Sequence, residues 1–132
     1  MRVNSLHAER LDLPAEPTSV RAARVFVTEL LDAWGCNGLA ETAALLTSEL
    51  ATNVVLHART PFAVVVARTL GGARVDVLDG SPVSPVLRDH DLSAPTGRGL
   101  ALVASLATEW GETPESELGG FAKGVRFSVR SG

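Results

Sequence analysis

Three polar side chains recur at four-residue intervals along one helical stretch: Glu49, Asn53 and His57. A step of four residues turns an α-helix by about 400°, so successive side chains shift by only about 40° around its axis. The carboxylate, the amide and the imidazole therefore share one stripe beside an apolar stripe and point towards buried space. An unpaired polar group there costs about 1–3 kcal/mol. The pattern predicts a ligand held between this helix and its neighbour, or an amphipathic boundary where these residues face water.

A fourth candidate, Asp79, ends a stretch of alternating side chains. Val75 and Val77 have the same parity as Asp79, and side chains of one parity lie on one face of a strand. With the valines facing the core, the carboxylate of Asp79 points inward at the end of its strand. Asp79 is therefore predicted to be a second polar site directed at buried space.

A glycine-flanked segment, Thr96-Gly97-Arg98-Gly99-Leu100, precedes a predicted helix. Glycines there let the backbone approach an anion, and the first helical turn offers free N–H groups and a positive dipole end. The segment has neither the spacing of a P-loop nor the third glycine of a dinucleotide-binding fingerprint. Glycines of this kind also simply end loops, so the segment predicts an anion site only together with the other candidates.

Hydrophobic periodicity predicts the element order β-α-α-β-β-loop-α-β-β. The predicted helices cover about 18–34, with Thr18 or Ser19 as the cap, 39–58 and 100–109. The predicted strands are an edge strand at 8–13, a hairpin of 62–69 and 73–79, a strand near 112, and 125–130. Hairpins predominate, so we predict an α+β, two-layer α/β sandwich: a mixed, mostly antiparallel sheet of about five strands, with three helices on one face.

Composition limits the class of protein. A chain of 132 residues with 45% hydrophobic and 20% charged residues predicts one globular domain, 1–132. The net charge of −3 and the scattered basic residues argue against direct binding of nucleic acid. One cysteine is typical of a reduced, cytoplasmic setting, and the apolar runs are too short to cross a membrane.

In combination, these segments resemble the conserved boxes of the GHKL ATPase superfamily, and the resemblance covers nearly the whole chain. The segments similar to its N box, first-glycine box and second-glycine box are Glu49-x-x-x-Asn53-x-x-x-His57, Asp79-Gly80 and Gly97-Arg98-Gly99-Leu100. The closest likeness is to the anti-sigma-factor serine kinases of bacteria and their actinobacterial relatives. Further likenesses to that branch lie at 14–24, at 110–111 and at 123–127. Two departures are Ser81-Pro82 in the first-glycine box and Gly124, where relatives often have a threonine beside the ligand.

The resemblance implies a site for ATP and Mg²⁺. Asn53 would give its amide oxygen to Mg²⁺, and Asp79 would accept a hydrogen bond from the adenine amino group. Glu49 would be the general base, and the 81–96 loop a lid. The residues implied to contact ATP are Asn53, His57, Asp79, Gly80, Thr96, Gly97, Arg98, Gly99 and Leu100.

The same resemblance implies a function and its partners. We expect an ATP-binding regulator, an anti-sigma factor that binds a sigma factor and phosphorylates a serine of an anti-anti-sigma (STAS-type) protein. Phosphorylation would change which of the two proteins the regulator binds (partner switching). Relatives often form homodimers. The alternative, favoured by the altered first-glycine box, is a non-catalytic nucleotide-binding or protein-binding module of the same fold.

Overall fold

One antiparallel sheet forms the first layer of the protein, and helices form the second. The computed structural model describes residues 7–82 and 103–131. The strands are β1 (Ala8–Leu13), β2 (Phe62–Thr69), β3 (Gly72–Asp79), β4 (Glu109–Glu112) and β5 (Lys123–Arg130). The helices are α1 (Thr18–Ala33), α2 (Asn37–Asn53) and, within the described residues, the segment 103–106 as α3. A π-helical turn (Val54–Ala58) continues α2, and a short 3₁₀ turn (Glu115–Glu117) lies between β4 and β5.

The strand order is β1-β2-β3-β5-β4, so β1 and β4 are the edges. The predicted edge strand at 8–13 and the predicted hairpin are confirmed. All four strand pairings are antiparallel. The α+β sandwich is confirmed, and in the described residues the sheet is antiparallel throughout rather than mixed. No helix in this part of the chain is both long and apolar enough to cross a membrane.

The core lies between the helices and the sheet. Side chains of one parity on β3 and β5 face it, which confirms the shared face expected from their alternation. The central members are fully or almost fully buried: Val64, Val66, Val75, Val77, Val125, Phe127 and Val129 from the sheet, and Val27, Leu31, Leu46 and Leu50 from the helices. Each such side chain contributes about 1.5–3 kcal/mol on burial.

The helix ends differ from the sequence-based boundaries. Neither Thr18 nor Ser19 caps α1; Pro17 occupies the cap position, and the Ser19 hydroxyl instead donates to the Pro14 carbonyl at 2.7 Å. Gly35, with φ of 77°, ends the helix as expected. The second helix begins at Asn37, two residues before the predicted start.

The third helix is shorter than predicted at its C-terminal end. Helical structure ends at residue 106, and Glu109, predicted to be helical, instead begins β4. The Thr108 N–H donates to the Ser128 carbonyl at 2.8 Å. This bond draws the chain into the sheet beside β5, which the apolar periodicity of the segment does not reveal. Val103 is fully buried and fixes the remaining helical turn to the core.

The connection between β4 and β5 covers part of the sheet face opposite the helices. Its Phe121 ring lies 5.6 Å from the Arg10 guanidinium on β1. Glu117 accepts a hydrogen bond from Arg126 at 2.6 Å, and this contact lowers the pKa of the Glu117 carboxyl. Asp76 on β3 lies on the covered face and is 3% exposed. A carboxylate on the face away from the helices is therefore buried.

Replacing Gly72 by alanine is expected to destabilise the protein by about 2 kcal/mol, because the added methyl group enters a filled space. Gly72 pairs with Arg130 in the sheet, and a Cβ there would overlap the Val129 carbonyl and lie 2.9 Å from the Arg130 Cα. Gly111→Ala is the matched control, since its Cβ would meet nothing within 4 Å. Urea unfolding measures both variants. Equal stability of the two would contradict the close approach at Gly72.

Candidate functional site

Asn53 is the last residue of α2 and sits at the junction with the π-helical turn. Its Oδ1 is buried, and among the described residues it has no hydrogen-bond partner. An oxygen left in that condition costs about 1–3 kcal/mol unless a ligand pairs with it. An amide oxygen is a ligand type that Mg²⁺ accepts. Asn53 therefore fits the metal that the family resemblance implies at this position.

Glu49 lies one helical turn before Asn53 and is half-buried. Four residues apart on α2, the two side chains lie on one stripe of the helix, as the sequence indicates. No hydrogen bond or ion pair within the described residues engages the Glu49 carboxylate. A partly desolvated acid next to a buried, unpaired amide oxygen is suited to accepting a proton from a group held at the same place.

The side chain of His57 is exposed, so at this position the structure agrees with the alternative of an amphipathic boundary that faces water and not with an imidazole directed at buried space. The π-helical turn explains the difference: the Arg59 N–H donates to the Val54 carbonyl five residues back, at 2.7 Å. An i→i+5 turn rotates the chain less per residue than an α-helix. Side chains after Asn53 are therefore displaced around the axis from the positions that a continuous α-helix would give them. The contact of His57 with ATP stays a prediction.

The end of α2 and the end of β3 meet at one end of the sheet. Phe62 pairs directly with Asp79, and the π turn ends at Ala58, only four residues earlier. Four residues span at most about 14 Å. The Gly80 N–H also donates to the Thr60 hydroxyl at 2.8 Å. Together these contacts bring the helix that carries Asn53 and the strand that carries Asp79 to the same place.

Asp79 is buried, with 5% of its surface exposed, as its parity with the valines predicts. Its Oδ1 accepts two hydrogen bonds: the Lys123 ammonium at 2.6 Å and the Ser81 N–H at 2.8 Å. The Ala122 N–H donates to the Asp79 carbonyl at 2.9 Å. The carboxylate is therefore fixed from β5 as well as from its own loop. A fixed acceptor at the end of a strand suits recognition of an amino group.

Lys123 is a partner of the candidate site residue Asp79 that the sequence patterns did not predict, and the same strand pairing shows on which face Gly124 lies. Strand alternation places Lys123 on the face of Asp79, its partner in the sheet. Gly124 lies on the opposite face, where a Cβ would overlap Leu78 and lie 2.6 Å from the Thr113 hydroxyl. Gly124 therefore lies on the face of the sheet opposite the Asp79 carboxylate. The signal was present in the sequence, because Lys123 has the parity of the apolar residues of β5.

Several predicted site residues lie outside the described part of the chain: Thr96, Gly97, Arg98, Gly99 and Leu100, with most of the predicted lid, 83–96. Their contacts with phosphate stay predictions. Within the described residues, no group of three His, Cys, Asp or Glu side chains is placed to hold a metal.

The sequence model of the histidine kinase-like ATPase domain matches residues 13–119 of the 132-residue chain. The protein therefore belongs to the histidine kinase-like ATPase domain family, within the GHKL superfamily. Its sandwich of antiparallel sheet and helices is consistent with that family. Membership supports ATP binding and a regulatory function. No curated protein matches the chain.

Proposed function

We propose that this protein is an anti-sigma factor with serine kinase activity. In this proposal it binds ATP with Mg²⁺, binds a sigma factor, and phosphorylates a serine of a STAS-type anti-anti-sigma protein. Phosphorylation then changes which partner is bound. The proposal makes the protein cytoplasmic and an actinobacterial-type regulator, acting as a monomer or a homodimer. The buried, unpaired Oδ1 of Asn53, one turn from Glu49, is the observation that carries it.

Asn53, Asp79 and Glu49 each have a role in the proposed phosphoryl transfer. Asn53 would hold the metal through its amide oxygen, and Asp79 accepts a hydrogen bond from the adenine amino group. Glu49 accepts the proton of the serine hydroxyl. As that proton leaves, the serine oxygen bonds to the γ-phosphorus, the bond to the β–γ bridging oxygen breaks, and ADP departs. When bound, Mg²⁺ supplies neutralisation of the phosphate charge during transfer.

A second candidate function is a binding module that uses nucleotide only structurally, or not at all. The first-glycine segment favours it, because Ser81 and Pro82 stand where a flexible glycine-rich sequence is usual in the superfamily. The Ser81 N–H is tied to the Asp79 carboxylate, and the ring of Pro82 restricts its backbone. A stiffer segment at the adenine end is compatible with binding but disfavours rapid exchange of nucleotide.

The two functions are separated by a phosphorylation assay with the purified protein, Mg-ATP and a STAS-type antagonist. We expect phosphoserine on the antagonist with the wild type and none with Asn53→Ala, which removes the metal-binding oxygen. Thr28→Ala is a matched control, because Thr28 lies on α1 and its hydroxyl donates within its own helix, to the Arg24 carbonyl at 2.9 Å. Absence of phosphoserine from a wild type that binds ATP would reject the kinase and leave the binding module.

A further inference from the structure

Lys123 forms a largely buried ion pair at the adenine end of the proposed site. Its ammonium lies 2.6 Å from Oδ1 of Asp79, and the two side chains are 13% and 6% exposed. The ammonium also donates to the Ser81 carbonyl at 3.3 Å. Because Lys123 and Asp79 pair directly across β3 and β5, the sheet itself holds this contact. The desolvation cost of burying two charges is offset only by close pairing and further hydrogen bonds, which the Ser81 N–H and carbonyl supply here.

The distribution of contacts over the two oxygens of Asp79 is unequal. Oδ1 accepts from both Lys123 and the Ser81 N–H, which uses its two lone pairs. Within the described residues, Oδ2 accepts no hydrogen bond, although Asp79 as a whole is 5% exposed. The carboxylate therefore cannot exchange its two oxygens without breaking the ion pair. One oxygen is held by the protein and the other stays available as an acceptor.

We propose that Lys123 is a positioning residue that fixes the Asp79 carboxylate and thereby selects 6-amino purines over 6-oxo purines. The inference rests on the proposed function, since it concerns the nucleotide at that site. Oδ2 can only accept a hydrogen bond, so it pairs with the amino group of adenine. The 6-oxo group of hypoxanthine or guanine is itself an acceptor and is repelled by the same oxygen.

Lys123 holds Oδ1 of Asp79 and so keeps Oδ2 in one place as a hydrogen-bond acceptor. Without its ammonium, Oδ1 keeps only the Ser81 N–H, and the carboxylate is free to rotate. The oxygen that faces the amino group of adenine is then no longer held in one orientation by the ion pair. Loss of Lys123 therefore weakens binding of ATP and improves binding of inosine triphosphate relative to it.

The first test compares the dissociation constants of ATP and inosine triphosphate, each with Mg²⁺. For Lys123→Met we expect the preference for ATP to fall at least about tenfold, the effect of one hydrogen bond to a charged group. Lys123→Arg, which keeps a cation, retains most of the preference. Arg130→Met, an exposed residue on the same strand, leaves it unchanged. Thermal unfolding of each variant shows whether it is folded.

Two failures are distinguishable in this experiment. A wild type that binds neither nucleotide overturns the proposed function and the base selection that depends on it. A wild type that prefers ATP, together with a folded Lys123→Met that keeps the same preference, overturns the role of Lys123 alone.

A second measurement uses only the wild type. Lys123 is the single lysine of the chain, so ¹⁵N labelling of lysine side chains gives one ammonium resonance. We expect this resonance to stay protected from exchange with solvent when ATP is added, because Lys123 keeps Oδ1 while adenine uses Oδ2. Loss of protection on binding ATP would show that the lysine competes with adenine, and would overturn the proposal.

Discussion

Replacing Glu49 by glutamine is expected to lower the rate of phosphoryl transfer about 10²–10⁴-fold, the range lost when a general base is removed. Glutamine has nearly the same volume and remains half-buried on α2, so the fold is kept. It cannot accept the proton of the serine hydroxyl. The affinity for Mg-ATP is expected to stay nearly unchanged, because the metal-binding oxygen belongs to Asn53. Single-turnover phosphorylation of the antagonist measures the rate.

Glu41→Gln is the matched control for this prediction, since Glu41 lies on the same helix but is exposed. Its rate should equal that of the wild type. If Glu49→Gln transfers phosphate as fast as the control, Glu49 is not the base. If both the rate and ATP affinity collapse together, Glu49 acts in binding rather than in proton transfer.

Replacing Asp76 by alanine is expected to destabilise the protein by about 3 kcal/mol, because it leaves a partly buried arginine without its buried partner. Asp76 Oδ2 accepts from Arg126 at 2.9 Å and from the Thr113 hydroxyl at 2.7 Å, and Oδ1 lies 3.4 Å from Arg74. These bonds join β3, β5 and the chain that leaves β4. Urea unfolding at neutral pH measures the loss.

The control for Asp76 is Asp12→Ala, since Asp12 also pairs with an arginine but is 64% exposed. Exposed pairs of this kind contribute only about 0–1 kcal/mol. The difference between the two losses in free energy of unfolding therefore measures the effect of burying the ion pair, separately from charge pairing itself. Equal losses, or a loss at Asp76 below about 1 kcal/mol, would show that this network does not hold the β4–β5 connection on the sheet.

Local patterns predict the parts of this fold that local physics decides. The parity of Asp79 with Val75 and Val77 correctly predicts a buried carboxylate at a strand end. The four-residue interval correctly places Glu49 and Asn53 on one stripe, because both lie within the regular helix α2. The same interval fails one turn later. A π-helical turn leaves no clear mark in composition, so the exposure of His57 follows only from the structure.

Contacts between distant segments are what the sequence leaves undetermined. Lys123 and Asp79 are 44 residues apart and meet only because β3 and β5 pair in one register. The burial of Asp76 likewise depends on the β4–β5 connection, whose polar composition predicts an exposed turn. The register of two strands and the burial of a sheet face by a connection depend on how whole elements pack. Many registers are compatible with the same alternating sequence pattern.

Calorimetric titration of the protein with Mg-ATP tests the central claim most directly, namely that Asn53 and Asp79 serve one nucleotide site. The account predicts saturable binding at one site per chain, with affinity reduced at least about tenfold by Asn53→Ala through loss of a single metal ligand. The Thr28→Ala control should bind as the wild type does. No binding by the wild type, or equal affinity in Asn53→Ala, would contradict the account.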